Sequence, residues 1–461
     1  DRRTDRYGGD AEGRSRFAVE ILRGIREALG ASFPVIARIN GEDGVPGGPK
    51  VEDMMEIVPF LVGAGADALH VSAGVYGSAR ATVAPMFEER GCFVPLAERV
   101  RKGVSVPVIA VGRIDGPALA EEILRSGKAD LVAMGRSLLA DPDLPVKAAS
   151  EREGEILSCL GCNQGCIDRI NASMMTGRTV GITCLVNPGA GREREAAFGK
   201  APRQKRVLVA GGGPGGLEAA LTAAGRGHEV ALWERENVLG GQLRLAGRVP
   251  GRDAFLRYVA FMEAALGRAG VSVVLNRAAT GARVREEGPD AVIVATGAVP
   301  VVPSFVRGGL TAWEVLRGAV PAGKEIVVLG GGAVGLETAH FLADLGKRVT
   351  VLEMTGRFGG DMGAISAFYV RRFLLEKKVR LERLAVVQEA TDREVRYLRE
   401  GEEKTLSGFD ALVIALGACS DRSLAGELES FAGNLVVVGD ALAPRKALEA
   451  VFEGFEAGRT L

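Results

Sequence analysis

The chain carries no net charge: 58 Lys and Arg balance 58 Asp and Glu over 461 residues. A neutral chain makes no general electrostatic case for binding nucleic acid or an anionic membrane surface. Long apolar runs are also missing, and no stretch is both long enough and charge-free enough to span a bilayer. The first residues, DRRTDRYGGDAEGRSRF, are charged and lack the apolar core of a signal peptide. Together these absences predict a cytoplasmic protein acting on a small molecule, with neither nucleic acid nor membrane as partner. Aromatics are scarce at 5%, whereas glycine is abundant at 64 residues. That mixture suits α/β domains with glycine-rich phosphate loops, and the length allows two to four domains.

Four of the six cysteines fall in one stretch, SCLGCNQGCIDRINASMMTGRTVGITCLVNP at 158–188. Cys159, Cys162, Cys166 and Cys184 are spaced C-x2-C-x3-C-x17-C. In a reducing compartment clustered thiols mean metal or redox chemistry rather than disulfides. The spacing admits a tetrahedral zinc site or an iron–sulfur cluster on four thiolates. Cys92 and Cys419 stand alone and are expected to be inert.

Upstream, strand and helix patterns alternate. Helical spacing at 13–29 precedes an apolar strand at 34–40. Helix 54–66, strand 68–74, helix 93–104, strand 107–114 and helix 117–128 follow, and a last strand at 130–142 runs into a loop. Short joints marked by glycine or proline predict parallel βαβ units. Four such units make half of a β/α barrel or, alternatively, a four-stranded doubly wound sheet.

Downstream of a basic linker at 191–206, the chain reads VLVAGGGPGGLEAALTAAGRGHEVALWERE. Gly211, Gly213 and Gly216 fit G-x-G-x-x-G between a strand and a helix, and Glu234 ends the next strand 18 residues after the third glycine. Such glycines bring amides at a helix N-terminus to a pyrophosphate, and the acid takes the ribose hydroxyls. The pattern recurs at 326–353 with Gly330, Gly332 and Gly335, and Glu353 again falls 18 residues on. A carboxylate at that point favours NADH. Arg348 and Arg357 nearby leave room for NADPH.

These motifs, in this order, resemble a known group. RRTDRYGG (2–9), VIAVGRI (108–114) and LVAMGRSLLADP (131–142) look like segments of the old yellow enzyme superfamily barrel. CLGCNQGC with CLVNP looks like the iron–sulfur segment of the 2,4-dienoyl-CoA reductase, 2-enoate reductase and trimethylamine dehydrogenase group. The resemblance covers essentially the whole chain and implies an α/β protein. Its parts would be the C-terminal half of an FMN-binding TIM barrel (1–150) and a [4Fe–4S] segment with linker (151–200). A Rossmann-like FAD domain (201–319 and 402–461) would surround an NAD(P) domain (320–401). The group's N-terminal half-barrel, with its tyrosine acid, would precede residue 1.

The resemblance also assigns sites. Gly112 and Gly135 let backbone approach the FMN phosphate, with Arg113 and Arg136 supplying charge. Arg38 would face the flavin pyrimidine edge. Gly241 and Gln242, then Thr296 and Gly297 in an Ala-Thr-Gly crossing, then Gly439 and Asp440 in LVVVGDA would complete the FAD site. ALVIALGA (411–418) would be the counterpart of that crossing after the insert. One departure is plain: where the dienoyl-CoA reductases carry a relay histidine, this chain has Gly77 within Val75-Tyr76-Gly77-Ser78-Ala79-Arg80. Tyr76 is a candidate replacement donor, or else an aromatic wall of the substrate pocket. His70 is expected to be a buried structural residue. The gap from Cys166 to Cys184 exceeds the group's usual one, and the excess near NASMMTG is expected to be a loop extension.

The implied activity is reduction of a conjugated C=C in an enoate, enoyl-CoA or enone, with NADH, FAD, a [4Fe–4S] cluster and FMN in series. Alternatives are an amine dehydrogenase of the trimethylamine type and an electron-transfer subunit without its own substrate site. A homo-oligomer is compatible with the sequence.

Overall fold

The computed structural model describes residues 3–78 and 83–461. The chain folds as two compact units that meet between Gly161 and Cys162. In the first, Ile36–Asn40, Ala68–Ser72, Val108–Ala110 and Leu131–Val132 form a parallel sheet whose spatial order is the sequence order. Residues along a strand point alternately to the two faces. Ile39, Leu69, Val71, Val108 and Ala110 face one side, where Leu22, Leu61, Ala97 and Ile123 from the four intervening helices pack on them. Arg38, His70, Ile109 and Leu131 are aligned in register on the other side, where Ile36 is 56% and Leu131 49% exposed. A doubly wound sheet reverses its strand order and carries helices on both faces. Sequential order with helices on one face is the geometry of a barrel wall, so the doubly wound alternative is set aside. One local expectation changes: after Leu131–Val132 the chain turns into a short helix, Arg136–Ala140, rather than a loop.

The second unit contains two five-stranded parallel sheets built to one plan. The first runs Asn434–Val437, Ala291–Val294, Arg206–Ala210, Glu229–Trp233, Ser272–Val274. The other runs Leu310–Thr311, Ala411–Ile414, Glu325–Leu329, Arg348–Glu353, Arg380–Arg383. The central strands are apolar throughout, as a sheet covered on both faces requires; Val209, Ile293, Val328 and Val413 are wholly buried. A meander, Val386–Ala390, Glu394–Arg399 and Glu402–Ser407, follows the second sheet. The chain enters and leaves the inserted unit through an antiparallel ribbon, Ala298–Pro300 against Ala418–Ser420.

That ribbon corrects the expected division at 319/320 and 401/402. Leu310–Thr311 pairs with Ala411–Ile414 in the second sheet, and Glu402–Ser407 pairs with Glu394–Arg399. The inserted unit therefore extends from about residue 301 to about 417. Arg252, beside the first sheet, and Glu337, on the helix Ala333–Asp344 of the second, form a buried ion pair, with residue exposures of 9% and 7%. The Arg252 guanidinium also lies over the Phe255 ring, 5.1 Å from its centroid.

Leu69 is fully buried and Leu375 is 67% exposed. Leu69→Ala is expected to lower unfolding free energy by about 2–5 kcal/mol, and Leu375→Ala by less than about 0.5 kcal/mol. Denaturant titration of the two variants measures the difference.

Candidate functional site

In the first sheet the strand Arg206–Ala210 leads through the glycine loop into the helix Pro214–Gly225. Gly211 has φ 112°. A Cβ on Gly216 would overlap the carbonyl oxygen of Gly211, and one on Gly211 would overlap that of Ala295. At Gly213 no other atom lies within 4 Å of where a Cβ would be, so that side of the loop is open to a ligand. Glu234, 7% exposed, accepts hydrogen bonds from Gly212 N–H at 2.6 Å and Glu236 N–H at 2.9 Å. The acid thus pins the glycine loop to the end of the second strand. Gly240 N–H donates to Gly212 O at 2.7 Å. Gln242 Nε2 donates to Asp440 Oδ2 at 2.7 Å, and Arg445 N–H to Asp440 Oδ1 at 3.0 Å. Thr296 Oγ1 donates to Asp421 O at 2.7 Å, while Gly297 turns with φ 81°. The residues expected to hold one dinucleotide, from Gly211 to Asp440, are gathered at one edge of this sheet.

The second cradle repeats the first. A Cβ on Gly335 would overlap Gly330 O, and one on Gly330 would overlap Ala415 O. Glu353, 8% exposed, accepts from Gly331 N–H at 2.6 Å and Thr355 N–H at 2.7 Å. Gly359 N–H donates to Gly331 O at 2.8 Å, as Gly240 does to Gly212. A carboxylate has about four acceptor sites, so each glutamate keeps capacity for ribose hydroxyls. Arg348 does not lie near this acid. It opens the strand that Glu353 closes, and its side chain pairs with Glu325 at the opposite edge of the sheet. Arg357 is exposed in the loop beyond Glu353.

Within the helix Pro214–Gly225, Glu218 is a buried acid that sequence reasoning missed. Thr222 Oγ1 donates to it at 3.1 Å. Burial pushes its carboxyl up to about 7 from 4.5, with the Thr222 bond opposing. Arg252 was missed as well: burial pulls its guanidinium down to about 10, opposed by the Cys162 sulfur.

In the barrel unit, Gly112 turns with φ 124°, and a Cβ there would come within 2.7 Å of the Phe93 ring. The missing side chain thus makes room for Phe93, which corrects the expectation that it admits a phosphate. Arg113 takes φ 51°, a left-handed conformation costing of order 1–2 kcal/mol for a non-glycine residue. Its guanidinium donates to Met86 O at 3.1 Å and to Glu88 O; burial lowers its pKa, with Asp115 opposing. Arg136 donates to Ala84 O at 2.8 Å. Both arginines therefore brace the segment 84–88. Gly135 alone keeps the open surroundings expected of a phosphate loop, with no other atom within 4 Å of a Cβ position. Arg38 Nε donates to Ser72 Oγ at 3.4 Å, and His70 beside it is partly buried with its pKa lowered by burial and by Arg38. Tyr76 is 93% exposed in a turn. A proton donor or a pocket wall needs an enclosed ring, and this unit does not enclose it. Arg2, Ala79 and Arg80 lie outside the described residues.

The cysteine segment begins in the first unit. Asp141, 3% exposed, accepts from Lys147 Nζ at 2.7 Å and Leu157 N–H at 2.8 Å, fixing the chain ahead of Cys159. Gly161 N–H donates to Cys159 Sγ at 3.4 Å. In the second unit, Thr183 N–H donates to Gly165 O at 2.7 Å. A Cβ on Gly165 would lie 2.5 Å from Thr183 O and 3.0 Å from Cys184 Cα. Close backbone packing thus lays Cys184 against the turn between Cys162 and Cys166. The long gap is not a loop extension: residues 171–176 complete the helix Ile167–Thr176. A returning arm is tied to that helix by Arg169 Nε to Gly181 O at 2.5 Å and Val180 N–H to Ser173 Oγ at 2.9 Å. Among the described residues, no three Cys, His, Asp or Glu side chains converge to hold one metal ion. A tetrahedral zinc needs its thiolates about 2.3 Å from one point, whereas a [4Fe–4S] cluster spreads four thiolates over four irons. The donor set and half-buried setting fit the cluster better. Cys92 is raised to about 11, chiefly by burial, in keeping with an inert thiol.

Residues 1–155 match the NADH:flavin oxidoreductase / NADH oxidase family, and 205–451 match the pyridine nucleotide-disulphide oxidoreductases. The NADH oxidase of Thermoanaerobacter brockii is 40% identical, over 99% of this chain and 71% of its own. The chain belongs to the NADH:flavin oxidoreductase family. The cinnamate reductase of Clostridium sporogenes is 32% identical over 100% of this chain and 71% of its own. The solved structure of a 2-naphthoyl-CoA reductase with 2-naphthoyl-CoA superposes with a TM-score of 0.93 at 30% identity, covering 100% of this chain and 70% of that one. Membership makes the protein an oxidoreductase that uses the flavins FMN and FAD with NAD(P)H.

Two outcomes follow from the site. Gly216→Ala is expected to abolish FAD retention, and Gly335→Ala to abolish NAD(P) binding while FAD stays; visible absorbance and calorimetry with NAD+ read these separately. Glu218 holds its proton to about pH 7 in the fold but only to 4.5 unfolded. Its contribution to stability is complete below pH 4.5 and is lost as pH rises through about 7. Glu218→Gln is expected to flatten the fall in denaturant midpoint across that window.

Proposed function

We propose that the protein is an NADH-dependent reductase of conjugated C=C bonds in enoates, enoyl-CoAs or enones, with a [4Fe–4S] cluster on Cys159, Cys162, Cys166 and Cys184. The observation that carries the reading is the pair of complete nucleotide cradles, one nested in the other, downstream of a barrel wall and a four-cysteine segment. The cinnamate and naphthoyl-CoA reductases named above support the substrate class. When bound, the cofactors supply hydride acceptance from the nicotinamide, one-electron relay between flavins, and hydride delivery to the β-carbon of the alkene.

The chain's own residues have separable tasks. The helix N-termini at Pro214 and Ala333 offer amides and a positive dipole end to the two pyrophosphates. Glu234 and Glu353 shape the loops and accept from ribose hydroxyls. Glu353 also disfavours a 2′-phosphate, which supports NADH over NADPH. Gln242 and Asp440, joined by a hydrogen bond, present polar groups to the resident flavin nucleotide. Gly165 holds the Cys184 backbone against the Cys166 turn, so the thiolates of unit two are placed before any metal arrives. In the barrel unit, Arg38 supplies positive charge that favours an anionic reduced flavin. Gly135 and Arg136 remain the candidates for the FMN phosphate. The reading carries with it a reducing, cytoplasmic setting. Neither nucleic acid nor membrane is needed as a partner, and a homo-oligomer is compatible with it. No helix among the described residues is long and apolar enough to cross a membrane.

Anaerobically purified protein is expected to release both FMN and FAD and to contain about four iron and four sulfide per chain. Cys162→Ser is expected to lose the iron and keep the FAD. Bound zinc in place of iron, or a single flavin type, would contradict the scheme.

A further inference from the structure

The two cradles differ at one position that their shared plan makes comparable. Leu239 closes over Gly212 in the first, and Phe358 over Gly331 in the second. Gly240 and Gly359 make the same hydrogen bond to the middle glycine of their loops. The following residues are Gly241-Gln242 in one and Gly360-Asp361 in the other. Gln242 is neutral and turns to Asp440. Asp361 is a carboxylate seated on the N-terminus of the helix Ala333–Asp344, where Ala333 N–H donates to both oxygens, at 2.9 and 3.1 Å. A Cβ on Gly332 would lie 3.3 Å from the same carboxylate. Asp361 therefore holds the amide and dipole end that a pyrophosphate would use.

We infer that Asp361 sets the affinity of the second cradle by competing, as a built-in anion, with the pyrophosphate of the incoming dinucleotide. This rests on the reading that the second cradle takes NAD(P)H. Binding then requires the carboxylate to leave Ala333 and to stand close to two phosphate charges. Both requirements weaken binding, and the first cradle has neither. The asymmetry matches the two tasks: FAD stays through every turnover, while the nicotinamide nucleotide must arrive and depart each time. Asp361 is exposed, so it can swing into solvent without breaking a packed core.

The test is calorimetric titration of NAD+ into the purified, flavin-loaded full chain, with Asp361→Asn and Asp361→Gly as variants. The asparagine keeps the shape and an acceptor for Ala333 N–H but removes the charge; the glycine vacates the position. Both are expected to bind NAD+ about three- to tenfold more tightly at low salt, the range for a charge at a helix N-terminus. The gain from the asparagine should shrink in about 0.5 M salt, which screens exposed charge. FAD content should not change. Equal or weaker binding by both variants, with the wild type binding normally, would overturn the inference and make Asp361 a support for the loop. If neither wild type nor variants bind NAD+ or NADP+, the assignment of the second cradle falls, and the inference with it.

Discussion

The nucleotide-binding unit depends on two backbone contacts that no side chain could allow, between the first and third glycines of each loop. Gly216 lies on Gly211 O and Gly335 on Gly330 O, closer than any Cβ permits. That contact seats each helix directly after its strand, which aims the first amides at a single point. It also leaves the middle of the loop free to hydrogen-bond Glu234 or Glu353. Loop, helix and acid are consequently one construction rather than three adjacent features. The same joint built twice gives one chain two sites of equal shape, and small differences around them can then assign different occupants.

Between the two sites the buried Arg252–Glu337 pair does what surface ion pairs do not. Removing a single partner from such a pair leaves an uncompensated charge in a low-dielectric setting, so the geometry of both elements is tightly specified. Glu337 is on the helix that starts at the second cradle, and Arg252 is electrostatically linked to Cys162. Within this unit, nucleotide cradle and cysteine segment are therefore held by one guanidinium.

Much of this was legible in the sequence because it is local. The glycine spacings, the glutamates 18 residues on, and the order of strands and helices in the barrel unit all depend on neighbours along the chain. What was misread depends on distance in space. Arg348 is five residues from Glu353, which reads as near. A strand rises about 3.3 Å per residue, so that count spans the whole sheet. Glu402–Ser407 is polar and mostly exposed, so nothing in it announces a partner, and the inserted unit was ended too early. Gly112 carried the expected residue type for a phosphate loop, but Phe93 fills its space. Arg252 and Glu337 lie 85 residues apart with no pattern to join them. Asp361 was visible only once the two loops were aligned in three dimensions.

The ribbon formed by Ala298–Pro300 and Ala418–Ser420 has an evolutionary consequence. Pro300 and Ala418 are paired neighbours, so the inserted unit begins and ends at nearly the same place. A segment with adjacent ends can be gained or removed by a single recombination event, with a tight turn sufficing to heal the host. The visiting-nucleotide unit is in that sense a cassette, exchangeable for another of different cofactor preference without disturbing the sheet around it.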